Sequence, residues 1–156
     1  MTDFGAAFRA GQEAATQAEL ARKDIDDVFS ALNVQVAEIT DGKIEIGRKR
    51  LERKKSSPAG VLVMSFGPRE TYWAIVARNP KATDSNPRQI ALWEPGRTGY
   101  PCKISWGGID RTCYDRQSLE DSLSSLLGDA IVGETLRNVS NLPPTQETGE
   151  SNIPTE

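Results

Sequence analysis

The sequence contains no histidine, only two cysteines, and no apolar run near the roughly 18 residues that a membrane span requires. Without histidine there is no Ser-His or Cys-His nucleophile pair, no imidazole base and no His ligand for zinc. Two cysteines alone are too few for an ordinary zinc site. An enzyme built on this chain would have to use Asp, Glu, Lys, Arg, Tyr, Cys, Ser or Thr, and no convergent acid, base and nucleophile stand out. Asp41 with Glu52 and Lys54 has the bare spacing of an Asp…Glu-x-Lys metal nuclease centre, but such a site rides on an apolar core strand. Here Asp41 is accounted for by a turn and Glu52 sits among solvated cations. WGGID and PGRTG lack the Gly-x-x-x-x-Gly-Lys pattern of a phosphate loop and read as turns. Neither a metal nor a cofactor is therefore expected, and an enzyme ranks last among the functional readings.

The N-terminus MTDFGAAFRAGQEAA has no apolar stretch behind a basic segment, which reads as a cytoplasmic protein with free thiols and no membrane partner. Aromatics are few. Six of the ten, Tyr72, Trp73, Trp93, Tyr100, Trp106 and Tyr114, fall on predicted strands. There they serve packing better than a single-strand stacking platform, which needs several on one exposed face.

What remains is 156 residues, enough for one ordinary domain with a core. Residues 3 to 32 read as a helix, with Phe4, Phe8, Gly11, Ala15, Ala18, Ala21, Ile25, Val28 and Leu32 recurring in steps of three and four. Its second half carries core-sized side chains and its first half small ones. Thr16 to Glu19 has the form of a capping box, so a break near residue 16 is one alternative. Residues 1 to 16 then form a protruding arm, either frayed or offered to another chain through Phe4, Phe8, Gly11, Ala15 and Ala18.

VQVAEITDGKIEI reads as a hairpin turning at Asp41-Gly42, with Ile39 opposite Ile44 and Ala37 opposite Ile46. GVLVMSF (60–66) and TYWAIVA (71–77) are apolar on both faces, as central strands are. QIALWE, YPCKISW and IDRTCY follow, joined by short turns. If Gly107-Gly108 form a two-residue turn, Trp106 faces Ile109 and Cys102 faces Cys113 across the hairpin, in a hydrogen-bonded pair with Cα atoms about 5.5 Å apart. That distance permits a disulfide without favouring one over two packed thiols. Asp115 then caps RQSLEDSLSSLLGDAIVGETLRN, which Gly128-Asp129 divides into one or two helices. The expected fold is α+β: an antiparallel meander of about six to seven strands, a long N-terminal helix and one or two C-terminal helices. One helix covers each sheet face, or both share one face and a partner covers the other. Residues 1–138 form the domain, and 139–156 a polar, proline-containing acidic tail without enough apolar side chains to fold.

Charge is distributed unevenly. Residues 1 to 42 carry a net −5, residues 43 to 116 a net +8, and residues 117 to 138 and 139 to 156 a net −3 each. Residues 43 to 55 alone carry +5, concentrated in Arg48, Lys49, Arg50, Arg53, Lys54 and Lys55. Three readings compete: phosphate contacts on a nucleic acid, docking on an acidic protein, or a solvated strand extension or loop whose cations guard a sticky edge. The function expected from the whole sequence is a small non-catalytic interaction protein, meeting a protein partner or another copy through its N-terminal helix, a sheet face or both. Nucleic-acid binding by the basic segment, with Arg88, Arg97 or Lys103 nearby, is the alternative.

Overall fold

The computed structural model describes residues 1–54 and 69–145. Helix α1, Phe4–Thr40, is 37 residues long, or about 55 Å at ~1.5 Å per residue. Asp3 caps it by accepting from the Ala6 N–H at 3.0 Å. It passes through Thr16–Glu19 without a break. The strands β1 (Glu45–Lys54), β2 (Arg69–Arg78), β3 (Arg88–Gly96), β4 (Gly99–Trp106) and β5 (Ile109–Cys113) follow, then α2 (Arg116–Leu127) and α3 (Ala130–Ser140). The strands lie in sequence order as an antiparallel meander, β1-β2-β3-β4-β5.

Five strands are described, against the six to seven expected. Residues 60–66 lie outside the described residues, and residues 34–40 are helix rather than the first arm of a hairpin. The reason for the second difference is local. Asp41 (φ 53°) and Gly42 (φ 74°) are both left-handed, which is what a type I′ turn requires and equally what ends a helix. The Gly42 N–H donates to the Ala37 carbonyl at 2.9 Å, closing the last turn of α1. Leu32 and Val36 pack on the core from that helix, whereas Ile39 is left exposed and does not pair with Ile44.

The three helices share one sheet face. Ile46, Ile75, Ala77, Ala91, Trp93, Cys102, Ile104 and Cys113 project from it into one core with Ile25, Val28 and Phe29 of α1, Leu119, Leu123 and Leu126 of α2, and Val132 and Val139 of α3. Full burial of side chains such as Phe29 or Leu119 contributes about 1.5–3 kcal/mol each. Phe29 meets Trp93 edge to face, with ring centroids 5.6 Å apart. A bulge at Ile90 lets Ile90 and Ala91 both be buried. The opposite face carries Leu51, Tyr72, Ala74, Val76 and Leu92, and no described helix covers it. The sharing of one face is the second of the two arrangements the sequence allowed.

Polar contacts fix where α1 lies. Asn33 reaches β1, its Nδ2 donating to the Ile46 carbonyl at 2.6 Å and its Oδ1 accepting from the Ile46 N–H at 2.7 Å. Asp24 accepts from the Tyr100 hydroxyl at 2.9 Å and pairs with Arg116 at 3.0 Å. Burial first, then the Asp24 carboxylate, pushes the Tyr100 phenol above its ordinary pKa. Gly99 (φ 95°) lies so close under α1 that an added Cβ would stand 2.7 Å from the Ala21 Cβ. The sheet therefore meets the helix near Ala21, and burial along α1 ends one turn farther on, at Ala18.

At the other end, Asp129 accepts from the N–H groups of Ile131 and Val132 and starts α3 immediately after Gly128. The expected tail boundary at residue 139 falls inside α3. Beyond that helix Pro144 bridges to Ala82, and the Thr145 N–H donates to the Lys81 carbonyl at 2.7 Å. Residues 146–156 lie outside the described residues.

Candidate functional site

From Phe4 to Gln17 every residue of α1 is exposed, and Ala18 is the first buried one. These fourteen residues extend about 21 Å beyond the point where packing begins. Phe4 is 78% exposed and Phe8 67%, one helical turn apart. Gly11 and Ala15 continue their line toward Ala18. The arm proposed from sequence is thus continuous helix, and its five named residues share one line along it.

The basic run is strand β1, paired along its length with β2 from Glu45↔Arg78 to Lys54↔Arg69. A strand turns successive side chains to opposite faces, so pairing divides the run. Arg48 and Arg50 face the helices, Lys49 and Arg53 the other side. Lys54 is placed by its backbone alone, and Lys55 lies outside the described residues. Arg48 is already engaged: it pairs with Asp26 and lies over the rings of Phe29 (4.5 Å) and Trp93 (5.6 Å). Arg50 donates to the Thr71 hydroxyl at 3.0 Å, and Arg53 lies 4.8 Å over the Tyr72 ring. A projecting basic loop is not what the described part of the run forms.

Arg48 also lines a groove of about 510 Å³ between α1 and the sheet, with Phe29, Asn33, Trp73, Trp93 and Pro95. Trp73, opposite Arg50 in the pairing, is 39% exposed. This meeting of indoles and guanidiniums was not legible in the sequence, because Trp93 and Arg48 come together only through the intervening strand. A second groove, about 400 Å³, runs between α1 and α2 and is lined by Val28, Leu32, Val36, Ile39, Leu123 and Leu127.

Cys102 and Cys113 are direct cross-strand partners, as the turn arithmetic required, and both are free and buried. Ser122 stands 3.4 Å from the Cys113 sulfur. The hydrogen bond between the two thiols, followed by burial, pushes Cys102 up and makes it the thiol that keeps its proton. Among the described residues, no group of three or more His, Cys, Asp or Glu is placed to hold a metal. No described helix is long and apolar enough to cross a membrane. Comparison with protein-family models, with curated proteins and with solved structures finds no match to this chain.

Proposed function

We propose that the chain is a small, non-catalytic cytoplasmic association protein whose N-terminal arm binds another protein chain. The observation that carries this reading is the pair Phe4 and Phe8, held in water on a helix that projects past the sheet. Fourteen exposed residues ordered in a helix have little to sustain them, since most helical stability in proteins comes from packing an apolar face. A partner on that face supplies what the chain itself does not. The sheet face away from the helices is a weaker attachment site, because Leu51 and Tyr72 are half-buried, Ala74 and Val76 are buried, and Leu92 is the large apolar side chain left exposed.

The arm has no buried residue before Ala18, so a chain starting at Thr16 keeps its core. Light scattering should give a concentration-dependent mass above 17.1 kDa for the full chain and a monomer for the shortened one. A shortened chain that associates as strongly as the full one would overturn the reading.

A second reading, single-stranded nucleic-acid binding, is favoured by the groove that brings Trp73 and Trp93 beside Arg48, with Arg50 next to it. The pairing of Arg48 with Asp26 weighs against it. If this reading holds, Arg50→Gln with Lys49→Gln should lower oligonucleotide affinity at low salt and flatten its salt dependence. Binding unaltered by both changes would exclude it.

A further inference from the structure

We propose, on the basis of the association reading above, that the arm's partner is the arm of a second copy, packed antiparallel about a two-fold axis at Gly11. At 3.6 residues per turn, Phe4, Phe8, Gly11, Ala14, Ala15 and Ala18 fall on an uncharged arc roughly 120° wide. Arg9, Gln12, Glu13 and Thr16 occupy the other side. Farther along α1 the same arc carries Ile25, Phe29, Leu32 and Val36, which pack on the core. The arm thus prolongs a face that is buried elsewhere, past Ala18, where burial along α1 ends.

The order of sizes along the arc selects a partner. Both rings stand at the tip and small residues stand at the base. An antiparallel copy sets each tip's rings against the other's small residues, which fills space on both sides. A parallel copy would set Phe4 against Phe4 and leave a gap where Gly11 and Ala15 face their own equivalents. Length then sets the register. When paired positions sum to 22, Phe8 faces Ala14, and Phe4 reaches α1 just short of Ala18, which the chain's own body already covers. Greater overlap drives the tip into the β3–β4 turn, and smaller overlap returns the rings to water.

That register places Gly11 on the axis, where the helices come closest. Inside a helix, glycine is about 1 kcal/mol less favourable than alanine. A Cβ at position 11 would touch nothing among the described residues, so no packing seen there requires glycine. Close approach of a second backbone does require it. Four phenylalanine rings at about 150 Å² each, with the small residues between them, bring the buried area to about 1,000 Å². This is the low end for a specific interface, so the dimer is reversible and concentration-dependent.

The test uses the full chain bearing Ala7→Cys or Ala15→Cys under mild oxidation, with Cys102 and Cys113 protected by burial. An equimolar mixture of the two variants should cross-link, because positions 7 and 15 sum to 22, and neither should cross-link alone. Gly11→Leu, which raises helix propensity, should weaken the dimer at least tenfold. Cross-linking of Ala7→Cys with itself would overturn the antiparallel register while leaving association through the arm standing, and so would a dimer undisturbed by Gly11→Leu. A full chain that stays monomeric would overturn pairing with a second copy and leave a different protein as the arm's partner, whereas a chain that dimerises equally well without its arm would overturn both proposals.

Discussion

Asn33→Leu isolates the device that holds α1 against the edge of the described sheet. Asn33 makes two hydrogen bonds to one residue, at 2.6 and 2.7 Å, and binds both backbone groups of Ile46. Two such bonds contribute about 1 kcal/mol each. Leucine is similar in volume but offers neither partner, and an Ile46 N–H or C=O left without one beneath the helix adds about 1–2 kcal/mol. The expected loss is therefore about 3–4 kcal/mol. For a chain of this size each kcal/mol lowers Tm by about 2–4 °C, giving a fall of roughly 5–15 °C. Urea unfolding followed by tryptophan fluorescence reports it, because Trp93 lies under the same stretch of α1. Glu38→Ala, on the exposed side of the helix, serves as a control and should change stability by no more than about 0.5 kcal/mol. An Asn33→Leu midpoint within the range of that control would refute the role given to the clamp.

Gly99→Ala should destabilise the fold by about 1–3 kcal/mol, from a strained positive φ and the clash with Ala21, and calorimetry that finds it neutral would remove Gly99 as a point of close helix–sheet contact. Leu119→Ala, at a fully buried site, should cost about 2–5 kcal/mol by chemical denaturation. Trp106→Phe should cost distinctly less, since the buried indole N–H has no hydrogen-bond partner among the described residues to lose, and the reverse order would contradict that account. Asp115, held below its ordinary pKa by the Ser118 N–H and then the Ser118 hydroxyl, stabilises the fold above the unfolded value of about 3.9. That contribution disappears as pH falls through the lowered folded value. Asp115→Asn keeps the cap acceptor, so its denaturation midpoint should match the parent chain at pH 7 and fall less between pH 5 and 2.

The parts of the fold written in short-range chemistry were legible in the sequence. The two-glycine turn set the Cys102–Cys113 register, Asp115 marked the start of α2, and Gly128-Asp129 marked the break before α3. Asp41-Gly42 misled because one backbone conformation serves two motifs. Whether left-handed residues close a hairpin or stop a helix depends on what packs before them, here Leu32 and Val36 on a sheet not yet reached in the chain. The arm's exposed line was visible as periodicity, but its exposure depends on where burial along α1 ends, and Gly99 gave no such indication. Charge alone marked the basic run as one feature, and strand alternation divides it between two faces. Asn33 carries no sequence signal, since an asparagine within a helical pattern looks the same whether it faces water or a strand edge.

The meander also has a consequence for the order of events on the ribosome. Each strand finds its neighbour in the next segment made, so the sheet can grow hairpin by hairpin as the chain emerges. Helix α1 is made first, yet Asp24 waits for Tyr100 and Arg116, 76 and 92 residues downstream. During that interval its whole apolar line, from Phe4 to Val36, has no finished sheet to lie on. If copies pair as proposed above, neighbouring nascent chains on one message would meet through their oldest segments, before either body has closed.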